Sequence, residues 1–315
     1  MARHNSKIHY YLKNILRLAI PNCYYRSRLD SKIQHVDGDD CEAVHDRVGY
    51  YMKRSTPFSV GDEAVDFRTF CRTKKKTYHF DLRRFYRYFP DHYRLAYIFG
   101  DVIEVPERPA IVKSRPIEGN NENSVLMKLD EVRHFYFVRD RMPFQEKMNR
   151  VVWRGAAYKE PRRTFVRTCH ALPCCNIGQT NRPPEDVPWQ KPKLSIPEQL
   201  KYKFIVSVEG NDVATNLKWI MSSNSLCFMP RPRYETWFME GRLRPGAHYV
   251  ELADDFSDLE EKLDYYSTHT EDALAIIRNA HRYVKQFLHP RREELIALLV
   301  LKRYFQLSGQ AIEDS

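Results

Sequence analysis

Between Lys201 and Met229 the residue pattern leaves the chain little choice. Tyr202-Lys203-Phe204-Ile205-Val206-Ser207-Val208 reads as a buried strand and Glu209-Gly210-Asn211-Asp212 as a turn carrying N-cap residues. Val213 to Met221 then reads as a helix, and Ser225 to Met229 returns as a strand. That is one β-α-β unit with a glycine turn at the helix start. It fixes the class as α/β.

The remainder fits that class. Tyr93 to Phe99 reads as a short strand ending at Gly100-Asp101, a way to present a carboxylate at a sheet edge, where α/β active sites collect. Ala110-Ile111-Val112 gives way to a basic turn, Lys113-Ser114-Arg115-Pro116. Gly119 to Ser124 is loop chemistry, and Val125 to Leu129 and Phe135 to Val138 are short apolar segments. A second unit begins near Asn149. There Val151-Val152-Trp153 is strand-like and runs into Arg154-Gly155, with Arg162-Arg163 opening a helix-like stretch. Asn181 to Pro197 carries Pro183, Pro184, Pro188, Pro192 and Pro197 and reads as a surface loop. From Ser257 onward the period is helical, through Leu259, Leu263 and Tyr266, then Ala273 to Phe287, then Glu293 to Tyr304. At about 150 residues per domain, 315 residues make about two domains. The expected division is 1–148, 149–288, and a last helix in 289–315 that packs back on the first domain.

Composition removes several function classes. With 43% hydrophobic and 29% charged residues the chain can fill a core. No apolar run approaches the ~20 residues of a membrane span. Arg3, Lys7, Lys13 and Arg17 interrupt the N-terminal apolar positions, so the continuous core of a secretory signal is missing. Seven scattered cysteines read as reduced thiols. A collagen, a disulfide scaffold and a membrane channel are excluded.

Fifty-one Lys and Arg against 41 Asp and Glu give a net charge of +10, which favours anionic partners: nucleic acid, acidic lipid or a phosphorylated small molecule. Basic and aromatic residues interleave from Arg68 to Arg94, as in Arg83-Arg84-Phe85-Tyr86-Arg87-Tyr88-Phe89. Such a stretch could track a phosphate backbone, bind a sugar, or be a helix whose aromatics point into the core. Ile8, Tyr11, Leu12, Ile15, Leu16 and Leu18 have near-helical spacing with Lys and Arg between them. That segment suits an anionic membrane surface, or a helix docked on its own domain.

A helix start after a strand offers free N–H groups and the positive end of a dipole to a phosphate, and Thr215 and Lys218 would add a hydroxyl and a cation. The turn matches neither dinucleotide nor P-loop fingerprints. Asp37-Gly38-Asp39-Asp40 holds a D-x-D, as some metal-dependent sugar transferases do, but Gly-Asp pairs are also ordinary turn residues. Cys169-His170 with Cys174-Cys175 lacks a second cluster at zinc spacing. No metal and no cofactor is expected. The residues by themselves support an α/β enzyme or a binding protein for a phosphorylated ligand.

The order of several motifs resembles glycosyltransferase family 90. They are Lys201 to Phe204, Glu209 to Lys218, Ser223-Asn224-Ser225-Leu226, Trp237-Phe238, His248-Tyr249-Val250 and Asp258-Leu259, with Val152-Trp153-Arg154-Gly155 and Lys113 to Pro116 upstream. The resemblance implies a GT-B-like fold, two Rossmann-like domains facing across a cleft, with C-terminal helices. It implies an inverting, metal-independent transfer of a hexose or pentose, glucose or xylose, from a UDP-sugar to a saccharide or glycolipid hydroxyl. On this resemblance residues 149–288 hold the nucleotide-sugar and 1–148 the acceptor.

The family's base is an aspartate five residues before a proline. Asp101 and Pro106 keep that spacing, so Asp101 is the expected catalytic base. The expected nucleotide-sugar site comprises Arg154, Gly155, Arg162, Val213, Ala214, Thr215, Asn216 and Lys218, with Glu235 accepting ribose hydroxyls. Ala156 departs from a family serine, and Lys218 from an arginine with its bidentate fork. The resemblance also points to lipopolysaccharide or other surface-glycan synthesis. The missing secretory signal and ER-retention tail point to a bacterial-type cytosol, and the basic N-terminal half suits peripheral contact with an anionic inner membrane. No nucleic acid is expected as partner. The rival readings are a basic nucleic-acid-binding protein and a catalytically inactive nucleotide-sugar-binding member of the same fold.

Overall fold

The computed structural model describes residues 7–34, 40–73 and 76–311. They divide into two compact units that interleave along the chain. The sheet unit comprises 134–233 and 239–286, and the mixed unit comprises the described residues of 7–133 with 234–238 and 287–311.

The mixed unit opens with helices α1 (Lys7–Leu18), α2 (Asn22–Arg26), α3 (Leu29–Ile33) and α4 (Asp40–Tyr51). Strand β1 (Val65–Asp66), helices α5 (Phe67–Arg72) and α6 (Thr77–Tyr86), and strands β2 (Arg94–Leu95), β3 (Tyr97–Ile98), β4 (Ala110–Val112), β5 (Ser114–Pro116) and β6 (Ser124–Leu126) follow. Helix α7 (Glu131–His134) leads out of it. Strands β3, β4 and β6 form a parallel sheet in that order, and β1 pairs with β2 antiparallel.

Two sequence expectations change here. Tyr93 to Phe99 is two strands with different partners, β2 pairing with β1 and β3 with β4; between them the Ala96 N–H donates to the Tyr304 hydroxyl at 3.2 Å while its carbonyl accepts from Ile111 N–H of β4 at 2.8 Å. The basic turn Lys113 to Pro116 is instead mostly strand β5, with Lys113 1% and Arg115 0% exposed. Most aromatics of α5 and α6, among them Phe67, Phe70, Phe85 and Tyr86, are buried, which is the core reading of the Arg68–Arg94 stretch.

The sheet unit carries β7 (Met148–Gly155), α8 (Glu160–Cys169), β8 (Cys175–Gln179), α9 (Ile196–Gln199), β9 (Tyr202–Val206), α10 (Leu217–Met221) and β10 (Leu226–Met229). Strand β11 (Tyr234–Thr236) returns to the mixed unit. Strand β12 (Val250–Glu251) and helices α11 (Leu259–Thr268) and α12 (Thr270–Lys285) complete the sheet unit. Its five strands are all parallel, in the order β12-β10-β9-β7-β8. Central strands of such a sheet are covered on both faces, so their apolar runs are continuous. Val151 to Trp153, Phe204 to Val206 and Leu226 to Met229 are accordingly buried throughout. Alternate residues of these runs, Val151, Trp153, Phe204, Val206, Leu226 and Phe228, share one core with Phe165 of α8, Leu259 and Leu263 of α11, and Ile276 and Ile277 of α12.

The helix expected over Val213 to Met221 is shorter than its pattern, spanning Leu217 to Met221. Gly210 N–H bonds the Asp212 carbonyl at 3.0 Å, closing a tight turn. Asn216 Nδ2 donates to the Val206 carbonyl at 3.0 Å, so residues 207–216 fold back onto the end of β9 before the helix starts.

Helix α13 (Pro290–Leu307) belongs to the mixed unit, where it packs on α4 and α6. Its buried Glu293 accepts from Arg47 at 2.7 Å and from the Trp237 indole at 2.8 Å, with Lys128 at 3.3 Å. The Trp237 ring stacks on Tyr51 with centroids 3.8 Å apart.

Candidate active site

All strands of a parallel sheet end at one edge, and ligands of open α/β sheets bind beyond the carboxyl ends of the strands. In the sheet unit that edge carries a pocket open to solvent. Ser207, Val208 and Glu209 continue from β9 into its wall, and Val213, Ala214 and Leu217 come from the crossover. Met229 to Arg233 follow β10, and Pro161 and Glu240 close the rim.

Of the residues expected to hold a nucleotide-sugar, Val213 and Ala214 line this wall. Arg162 lies beside it, donating Nε to the Val208 carbonyl at 3.0 Å and Nη1 to the Ala156 carbonyl at 3.1 Å. It thereby joins the loops that follow β7 and β9. Gly210 belongs to this contact, since a Cβ there would stand 3.2 Å from the Arg162 guanidinium carbon.

Other expected residues brace the wall from behind. Asn216 accepts from Ser207 Oγ at 3.1 Å, and Thr215 is half-buried. Lys218 is fully buried and pairs with the pocket-lining Glu240 at 2.5 Å, so it positions a carboxylate at the wall. Arg154 turns across to β8, donating to the Asn176 carbonyl and side chain at 2.7 Å each and to the Pro192 carbonyl at 3.1 Å. Gly155 leaves room for the Trp153 ring, which a Cβ would meet at 2.7 Å.

Two expected residues stand in the mixed unit. Glu235 is 1% exposed and is consumed in structure: it accepts from Arg115 Nε at 2.8 Å and from the Tyr50 hydroxyl. Asp101 follows β3 through Gly100, whose φ of 119° favours glycine. The Asp101 carboxylate accepts from Lys113 Nζ at 2.5 Å, and Lys113 is itself 1% exposed. The next peptide is clamped by Ser114, whose Oγ accepts from the Val102 N–H and donates to its carbonyl. The result is a half-exposed carboxylate fixed by a buried ammonium on a rigid strand end.

Sequence reading missed Arg231 and Arg233, exposed at the pocket rim, with Nε atoms 3.4 Å from Glu251 and 3.9 Å from Glu209. The signal was present: the loop after the second strand of a β-α-β unit emerges at the same edge as the loop after the first. Glu209, Glu240 and Lys113 were missed as individual roles for want of any pattern that names their partners.

Cys169 and Cys175 are buried thiols, Cys169 pushed up to about 12 and Cys175 raised further, chiefly by burial. They behave as small apolar side chains. Among the described residues no group of His, Cys, Asp and Glu could hold a metal ion. The D-x-D at Asp37 to Asp39 lies outside the described residues.

The sequence model of Glycosyl transferase family 90 matches residues 127–309, more than half of the chain. The chain belongs to this family. It is 46% identical over 304 residues, 96% of each chain, to O-glucosyltransferase LpsA of Dichelobacter nodosus. Protein O-glucosyltransferase 3 of Rattus norvegicus is 32% identical over 117 residues, 36% of this chain and 23% of the relative. Protein O-glucosyltransferase 2 of Danio rerio is 26% identical over 151 residues, 46% and 30% of the two chains. The family 90 protein is thus a glycosyltransferase, and its substrates are a sugar donor and an acceptor. Among the described residues, no helix is long and apolar enough to cross a membrane.

Proposed function

We propose that the protein transfers glucose from UDP-glucose to a saccharide hydroxyl, with inversion at the anomeric carbon and Asp101 as the base. The observation that carries this reading is the 46% identity, over 96% of both chains, to an O-glucosyltransferase. The pocket at the C-terminal edge of the parallel sheet supports it as the donor site.

In this reading Asp101 takes the proton of the acceptor hydroxyl while that oxygen forms its bond to C1 of the sugar. The bond from C1 to the diphosphate oxygen breaks on the opposite face, and UDP leaves with the electron pair. Charge developing on the diphosphate meets Arg231 and Arg233. Glu240, held by Lys218, or Glu209 accepts from the ribose hydroxyls. Lys113 holds the Asp101 carboxylate in position. The GT-B-like arrangement of two Rossmann-like domains, independence from metal, and a role in lipopolysaccharide or another surface glycan on the cytoplasmic side belong to the same reading. Xylose is the alternative donor sugar.

Calorimetry with UDP in the presence of EDTA tests the site. Wild type and Asp101→Asn are expected to bind alike, whereas Arg231→Ala/Arg233→Ala loses about tenfold or more in affinity. Asp101→Asn is expected to abolish turnover of UDP-glucose with a saccharide acceptor. Wild type that binds no UDP, with or without Mn²⁺, overturns the donor assignment. Full turnover by Asp101→Asn overturns the base.

A further inference from the structure

An amphipathic helix ordinarily lays its apolar stripe on the core. Helix α1 does the reverse. Its polar side faces inward: Asn14 is 4% exposed, and the Tyr10 hydroxyl donates to the Thr77 carbonyl at 3.1 Å and to Asp81 Oδ1 at 2.5 Å. The Arg17 carbonyl accepts from Arg87 at 2.8 Å. Ile8, Leu12, Ile15 and Leu16 point outward, 80%, 55%, 54% and 63% exposed. Their spacing places all four on one helical face. Scattered apolar surface residues need no explanation, but a row along one helix marks an interaction surface.

The charge around that row selects the partner. Up to Leu29 the chain carries Arg3, Lys7, Lys13, Arg17, Arg26 and Arg28 and no Asp or Glu. Two copies meeting through α1 would bring like charges together, with no carboxylate on the helix to pair them. Phospholipid headgroups supply the complementary sign, and acyl chains the apolar phase. At 12 residues, a length of about 18 Å, α1 suits a position in the plane of the interface.

We propose that the outward face of α1 seats the protein on the surface of an anionic phospholipid bilayer. The helix lies parallel to the surface, with Ile8, Leu12, Ile15 and Leu16 among the upper acyl chains and Lys7 and Lys13 against phosphates. The inference is independent of the donor and acceptor assigned above.

Co-sedimentation of the full chain with vesicles tests it, using phosphatidylcholine alone and phosphatidylcholine with roughly one-third phosphatidylglycerol. Wild type is expected to bind the anionic vesicles about tenfold or more better, and to be released by salt. Ile8→Ser/Leu12→Ser/Ile15→Ser/Leu16→Ser is expected to lose that binding while keeping its circular dichroism and UDP affinity, since all four side chains are exposed. Lys7→Glu/Lys13→Glu is expected to lose the preference for anionic vesicles. Equal binding of wild type to both vesicles overturns the proposal, as does equal binding of wild type and the four-serine variant. A dimer that the four-serine variant dissolves, without vesicle binding, overturns it in favour of a second copy. UDP calorimetry on the same samples keeps a failure here distinct from a failure of the donor site.

Discussion

The sheet unit and the mixed unit have interiors of different chemistry. In the sheet unit one apolar cluster runs from Phe144 to Ile277, and the buried ion pairs Lys147–Asp140 and Lys218–Glu240 are not part of it. In the mixed unit charge is part of the interior. Arg115 with Glu235, and Arg47 with Glu293, join α4, β5, β11 and α13 across long stretches of sequence. Apolar burial is non-directional and accepts any neighbour of suitable volume. A buried guanidinium needs particular acceptors at particular places: Arg115 takes Glu235 and the carbonyls of Tyr50 and Ser124. The apolar cluster is expected to tolerate substitution better than the buried charge pairs.

The sharpest way to break that contrast is to remove one partner of a charge pair. Arg115→Met takes the guanidinium from the buried Glu235 and leaves it the Tyr50 hydroxyl and Lys53 at 4.0 Å, which is expected to cost about 3–5 kcal/mol. Arg115→Met/Glu235→Leu is expected to recover most of the loss. Ile205→Val in the sheet unit should cost only about 0.5–1.5 kcal/mol. Urea unfolding, with hydrogen exchange of peptides from each unit, reads all three. An Arg115→Met cost below about 1 kcal/mol would erase the distinction.

The second test is pH. Burial, and then the charge of Glu131, push the Asp81 carboxyl up to about 8. The folded chain therefore keeps a proton that the unfolded chain releases near pH ~4. Its contribution to stability is whole below that value and is lost as pH rises through about 8, at up to about 1.4 kcal/mol per pH unit. Wild type is expected to lose up to about 3 kcal/mol between roughly pH 5 and 7, and Asp81→Asn to flatten that slope. Hydrogen exchange should place the loss in the mixed unit; an equal loss in Asp81→Asn refutes the assignment.

The smallest effects concern two glycines. Gly155→Ala drives a Cβ into Trp153 and is expected to destabilise the sheet unit by about 1–3 kcal/mol. Gly49 lies inside α4, and a methyl group there would meet nothing within 4 Å. Gly49→Ala should stabilise the mixed unit by about 0.5–1 kcal/mol. Thermal midpoints moving in the same direction would show that space does not decide these positions.

The same contrast governs what could be read from sequence. Strands β7, β9 and β10 and helices α11 to α13 announce themselves, because continuous apolar runs and helical periods are local signals. Strand β5 did not: a Lys-Ser-Arg-Pro segment reads as a turn until Glu235, far along the chain, is known to neutralise its arginine. The pocket at the sheet edge divides in the same way. The strand-turn rule leads to Val213 and Ala214 at its wall, yet no local pattern reveals that Lys218 is paired with Glu240 or that Arg154 is tied to Asn176. Residue type indicates what chemistry a side chain can perform. Its partners decide whether it is available.

The interleaving of the units bears on the order of synthesis. The sheet unit has all of its chain once residue 286 has left the ribosome, whereas the mixed unit, started first, still lacks α13. At about 5–20 residues per second, α4 and α6 wait on the order of ten seconds for the helix that covers them. During that interval Arg47 has no Glu293, and Tyr51 has no Trp237 until that residue is made. The earliest part of the polypeptide is thus among the last to mature, and a released chain cut before Pro290 would hold all of the sheet unit's segments and an incomplete partner.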